Sequence, residues 1–217
     1  IRLEVSGTDG QDASELTQPF AQPVRFELAA DSVNNPNLAG IYRIMPDGGT
    51  EYVGGSYADG TYTADIDAPG TYMVLEYTKP YEDVSENHWA YDVIQELSFN
   101  GVVNGVEALQ FEPEKTTTRA EFVTMLVRIL ELDTSDTTQY YSDVSPDSWY
   151  AGTIAAAAEA GLVEGDGSGG FAPDRLITRE EMAALLIRAH EWKNGVVDAD
   201  SSSLASFADS DQVSEWA

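Results

Sequence analysis

Thr118-Arg119-Ala120-Glu121-Phe122 returns as Thr178-Arg179-Glu180-Glu181-Met182, 60 positions further on. Working outward, the same offset holds without a gap. Asp83 matches Asp143, Trp89 matches Trp149, and Gly101 matches Gly161. Phe111-x-Pro113 matches Phe171-x-Pro173, and Arg128 matches Arg188. The copies run from Tyr81 to about Leu132 and from Tyr141 to about Trp192. An internal repeat of this length is a supersecondary unit that buries its apolar face against its neighbours.

Within the repeated phrase, Thr118-x-x-Glu121 and Thr178-x-x-Glu181 are capping boxes, and each predicts a helix that starts just after the threonine. Capping does not explain Arg119 or Arg179, because a cation in the first helical turn opposes the macrodipole. From residue 80 onward the cations are Lys115, Arg119, Arg128, Arg175, Arg179, Arg188 and Lys193. All but Lys193 form pairs at the repeat spacing. Arg128 and Arg188, set toward helix C-termini, read as structural. Lys115/Arg175 and Arg119/Arg179 gather where the second helix begins. Free amides and an Arg fork there suit a carboxylate or phosphate; the alternative is pairing with neighbouring acids.

Each copy reads as helix, loop, helix. Trp89, Val93 and Leu97, with Ala90 and Ile94 beside them, mark the apolar stripe of the first helix, which Gly101 ends in a left-handed C′ position. Phe122, Met125, Leu126, Ile129 and Leu130 mark the stripe of the second. Trp89 and Trp149 read as core anchors or as sugar-stacking platforms, with the core favoured. Asp83 and Asp143 read as caps for the first helix. Phe207-Ala208-Asp209 with Trp216-Ala217 resembles the opening of a third copy.

Residues 1–79 read as a small antiparallel β-sandwich-like domain of about six strands. Ile1, Leu3 and Val5 alternate with polar residues, as do Val24, Phe26 and Leu28. Pro46-Asp47-Gly48-Gly49 and Tyr57-Ala58-Asp59-Gly60 read as turns. The tyrosines of this part read as sheet packing rather than sugar platforms. The fold class expected is therefore α+β in two parts: this β domain, then α-helical helix-loop-helix repeats over 80–135 and 140–195. A linker at 196–206 and a truncated third copy at 207–217 follow.

The net charge of -27 over 217 residues repels nucleic acid and anionic membranes. Without cysteine the chain has no disulfide and no thiolate metal site. No apolar run approaches the ~20 residues of a membrane-spanning helix. No catalytic motif, cofactor fingerprint or metal-ligand spacing is present, so neither enzyme activity in this chain nor a cofactor is expected. Because it starts at Ile1 and stops inside a third copy, the chain is expected to be a piece of a longer protein.

In its Tyr/Phe-x-Asp-Val opening, Trp-Ala/Tyr, Gly-Val-Val-x-Gly or Gly-Leu-Val-x-Gly turn, Phe-x-Pro and Thr-Arg-x-Glu, each copy resembles the S-layer homology (SLH) domain. The stretch from about Ile41 to Tyr77 also looks like the small β module that precedes such repeats in secreted bacterial proteins. The resemblance implies domains that come in threes, fold as a helical pseudo-threefold assembly and anchor exported proteins non-covalently to the cell wall. The implied partner is a secondary cell-wall polymer, a pyruvylated glycan linked to peptidoglycan, and the implied location is the cell surface. It also implies that Arg119 and Arg179 hold a pyruvate-ketal carboxylate, that Thr118, Glu121, Thr178 and Glu181 shape the site, and that Trp89 and Trp149 line it. Two other parents fit: a subunit of an S-layer lattice, or a surface polysaccharide hydrolase whose catalytic domain lies upstream.

Overall fold

The computed structural model describes residues 19–30, 33–197, 206–214 and 216. The strand expected over Ile1 to Val5 and most of the linker at 196–206 lie outside them. Two compact units divide the chain, Ile1–Phe99 and Asn100–Ala217.

The first unit holds β1 (Val24–Ala29), β2 (Ala39–Ile44), β3 (Thr50–Gly54), β4 (Ser56–Ala58), β5 (Thr61–Ile66), β6 (Thr71–Glu76) and α1 (Tyr91–Phe99). The strands form two antiparallel sheets, ordered β1-β5-β4 and β3-β2-β6. Period-two alternation sets which side chains are shared between them. Tyr62, Ala64 and Ile66 of β5 pack with Leu28 of β1 and with Ala39, Ile41 and Tyr72 of the other sheet. Buried phenols need acceptors: Tyr62 Oη donates to the Pro36 carbonyl at 2.6 Å, and Tyr72 Oη to the Ala68 carbonyl at 2.5 Å. Tyr52 and Tyr57, although partly exposed, meet their cross-strand partners Tyr42 and Tyr62 at 5.2 and 5.0 Å between ring centroids, which is sheet packing, and Tyr77 is exposed. Of the turn expected over Tyr57 to Gly60, only Asp59-Gly60 reverses the chain. Both have positive φ (50° and 81°) and join β4 to β5 as a two-residue hairpin.

The second unit holds α2 (Arg119–Ile129), α3 (Ala151–Glu159) and α4 (Arg179–Asn194). The α+β class stands, but the expected sequence of a sandwich followed by helix-loop-helix repeats does not. The division falls after Phe99, inside the first copy, and α1 belongs to the strand unit. Its side chains account for this. Buried Gln95 makes both amide hydrogen bonds to the Lys79 backbone (2.7 and 2.9 Å), and Phe99 meets Tyr52 edge-on at 5.5 Å between ring centroids. In turn α2 packs against α3 and α4, both from the second copy. Ala155, Ala156 and Ala157 let α3 come close to it.

The helix faces also differ from the expected stripes. In α1 Ile94 is buried as expected, but Gln95 and Ser98 are buried with it and Val93 is exposed. In α2 they are Ala120, Val123, Thr124, Leu126 and Val127, and Ile129 is exposed. Gly101 and Gly161 take the predicted left-handed conformation, with φ of 71° and 69°.

Candidate functional site

Both capping boxes form as read. Thr118 and Thr178 each accept from the N3 amide, and Glu121 and Glu181 each reach back to the N-cap amide. The rest of the α2 N-terminus is not open to a ligand. Its first amides, of Arg119 and Ala120, donate to the carbonyls of Arg175 and Pro173 at 2.9 and 3.0 Å. Ile177 N returns a hydrogen bond to the Thr117 carbonyl at 3.2 Å. Thus the second copy, rather than an external anion, caps the helix of the first.

Arg119 completes that junction. Its Nη1 lies 3.0 Å from Glu181 Oε1, and its Nη2 donates to the Glu164 carbonyl at 2.7 Å. The guanidinium carbon sits 4.7 Å from the centre of the Phe171 ring. Arg175 donates to both oxygens of the same carboxylate. Burial pushes the Glu181 carboxyl up, but the Arg175 and Thr178 hydrogen bonds and the charges of Arg175 and Arg119 outweigh it and hold the pKa at about 2. The two arginines shift in opposite directions. Burial lowers the pKa of Arg119, whereas the hydrogen bond to Glu181 raises that of Arg175. Arg119 Nε is buried with no acceptor among the described residues. Arg179, in the matching position, is exposed and makes no ion pair or side-chain hydrogen bond among the described residues.

Two grooves of one plan lie in this unit. The first, of about 310 Å³, is lined by Val102, Phe111, Lys115, Glu121, Arg128 and Trp149 among others. The second, of about 410 Å³, is lined by Gly165, Phe171, Arg175, Glu181, Arg188 and Trp216, and additionally by Arg119. Most of these correspond at the repeat spacing. Each groove combines the loop and second helix of one copy with a tryptophan from the next.

The core reading of the tryptophans is corrected: Trp149 is 64% exposed and Trp216 56%. Trp89 is 88% exposed and lines neither groove. The residues brought together are therefore Glu121 with Trp149, and Arg119 with Glu181. Lys115 and Arg175 line the grooves at the helix starts where the sequence reading gathered the cations, whereas Arg128 and Arg188, read as structural, and Trp216 line them as well. Arg128 and Arg188 each donate to a loop carbonyl, of Val102 at 3.0 Å and Leu162 at 3.5 Å, while lining a groove.

Asp143 does not cap a helix. Its carboxylate accepts from the amides of Phe171 and Ala172, both at 2.7 Å, and so fixes the loop beneath the second groove. Ala172 and its counterpart Glu112 have φ of 57° and 59°, a strained choice for residues with a side chain, and strain of this kind gathers at functional sites. Among the described residues no group of acids and histidines could hold a metal ion.

The S-layer homology domain family model matches residues 80–123 and 140–183. The chain is 37% identical over 220 residues to an amylopullulanase of Thermoanaerobacterium thermosulfurigenes, covering all of this chain and 11% of that protein. It is 38% identical over 144 residues to the exoglucanase XynX of Acetivibrio thermocellus, covering 66% of this chain and 13% of that protein. It is 39% identical over 133 residues to the S-layer protein sap of Bacillus anthracis, covering 61% of this chain and 16% of that protein. The chain thus spans only a small part of the length of these relatives. S-layer homology domains anchor surface proteins through cell-wall components, and this chain, with two of them, belongs to that family and to the cell surface.

Proposed function

We propose that this chain tethers a larger exported protein by binding a pyruvylated secondary cell-wall polymer in its two grooves. The observation behind this reading is the repeated plan, a loop and helix faced by a tryptophan from the following copy. Trp149 and Trp216 supply ring faces for sugars. Arg175 and Arg188 supply forked donors for oxygen atoms, with Arg119 beneath them. Thr118, Glu121, Thr178 and Glu181 shape the helix starts on which the grooves rest. Arg179 adds an exposed cation, and Trp89 an exposed ring. An acidic chain that takes an anionic polymer must do so through such local cations rather than bulk attraction. In this reading the chain acts as a binding region.

The test is sedimentation of the chain with purified cell walls, before and after chemical removal of the wall polymer. Retention is expected only on intact walls. Equal retention on stripped walls removes the polymer from the reading.

The parent protein is proposed to be a polysaccharide-degrading enzyme rather than a lattice subunit. The likeness to the amylopullulanase includes the strand unit, whereas the S-layer protein sap matches over only 61% of the chain. Hydrolysis of starch or xylan by the full-length protein, kept when this chain is deleted while wall retention is lost, supports that choice. A parent without hydrolase activity that assembles into sheets rejects it.

A further inference from the structure

Beside the second groove the chain departs from its own repeat. Glu180, in the first turn of α4, accepts two hydrogen bonds from Ser214, one from the amide at 3.1 Å and one from the hydroxyl at 3.2 Å. The matching residue of the first copy is Ala120, which is buried and has no side-chain acceptor. Ser214 stands two places before Trp216, and Asp147 stands two places before Trp149. The Asp147 amide turns to Ser145 Oγ of its own segment at 3.4 Å. The change is thus paired. An acid on the helix goes with a serine on the segment, and an alanine on the helix goes with an acid on the segment.

A carboxylate in the first turn suits the helix macrodipole, and that alone would account for Glu180. It does not account for both oxygens being taken by one residue 34 positions away. Hydrogen bonds to a carboxylate are of the stronger kind. Phe207 and Val213 of the same segment are exposed, so their burial does little to hold it. Two residues of chain reach at most about 7 Å. Fixing Ser214 on α4 therefore confines Trp216, whose ring lines the second groove.

Resting on the glycan-binding reading above, we propose that Glu180 is a positioning residue of the second groove. It grips Ser214, and through Ser214 it keeps the Trp216 ring where a sugar can stack. The grip has no counterpart at Ala120, so it is a property of the second groove and not of the repeat.

The test compares Glu180→Ala, Glu180→Gln, Trp216→Ala and the Glu180→Ala/Trp216→Ala double variant for sedimentation with purified cell walls. The indole N–H signal of Trp216, assigned by Trp216→Phe, is followed in the same chains without walls. Glu180→Ala should move that signal and lower wall retention several-fold. Charge alone would act the other way, because the substitution removes a negative charge beside a site for an anionic polymer. Glu180→Gln keeps an acceptor for the Ser214 amide, so it should hold the Trp216 signal and wall retention at the parent's. A role confined to the helix dipole would make Gln and Ala alike. In the double variant Glu180→Ala should add nothing to Trp216→Ala, since a residue that acts through the ring has no effect without it. An unmoved Trp216 signal in Glu180→Ala, equal behaviour of Ala and Gln, or additive losses in the double variant overturn the assignment. A parent chain that walls do not retain removes the glycan reading and the use made of the ring, whereas the indole comparison, which needs no wall, still decides the grip.

Discussion

Arg119 of the first copy and Glu181 of the second lie 3.0 Å apart, each with 11% of its side chain exposed. The pair bolts α2 to the start of α4, while Arg179, the repeat-equivalent of Arg119, is exposed and has no ion pair among the described residues. The same three letters thus have different consequences. Arg119→Ala leaves Glu181 to Arg175 alone and removes the contact over Phe171. It should cost about 2–3 kcal/mol, less than a fully orphaned buried charge because one arginine remains. Arg179→Ala should fall within about 0.5 kcal/mol of the parent. Urea denaturation of the two variants checks this, and equal midpoints would contradict it.

Acid should find the same junction. The Glu181 pKa lies at about 2 against an ordinary 4.5, so the folded state holds the deprotonated form more tightly than the unfolded chain. The stabilisation is complete above about pH 4.5 and is lost as the pH falls through about 2, a change of roughly 3 kcal/mol. Glu181→Gln keeps the helix cap but loses the charge. Its stability should therefore be lower at neutral pH, and the gap to the parent should close between pH 4.5 and 2. A parallel pH profile for both proteins would assign the acid response elsewhere.

Local chemistry was legible in the sequence, and the partners of each element were not. The threonine caps, the glycine helix stops and the Asp59-Gly60 reversal each depend on a few neighbouring residues, and they stand where the letters put them. The strand at Ser56–Ala58 was hidden because it is short and abuts that reversal. Trp89, Val93 and Leu97 mimic a buried stripe, since a ring kept outside has the same spacing as one kept in. The repeat spacing pairs residues with their equivalents, but Arg119 meets Glu181, not its own copy's glutamate. Nor does spacing reveal that α1 belongs with the strands. That follows from Gln95 and Phe99, whose contacts are with residues of the strand unit.

Gly152 provides a test of the join between the copies. A methyl group there would lie 2.1 Å from the Thr134 carbonyl oxygen, in the segment that leads from α2 toward α3. Glycine to alanine inside a helix ordinarily gains about 1 kcal/mol. Here the obstacle is backbone, and overpacking of this kind costs about 1–3 kcal/mol. Gly152→Ala should therefore destabilise the protein. The equivalent residue of the first copy is the exposed Asp92, and Asp92→Ala should be close to neutral. Thermal melts of the two variants give the comparison, and a raised melting temperature for Gly152→Ala would mean the segment yields.

Trp149 separates binding from folding. A ring left 64% in solvent contributes little to the core, so Trp149→Ala should change stability by less than about 1 kcal/mol. Its ring lines the first groove, and aromatic stacking contributes about 0.5–1.5 kcal/mol beyond area burial. Wall retention of the variant should drop several-fold while its far-ultraviolet circular dichroism stays that of the parent. The same substitution at Trp216 should act on the second groove, and the two together should lower retention more than either alone, because each ring belongs to a different groove. Undiminished retention in the folded double variant would remove the tryptophans from the binding surface and leave the arginines to account for it.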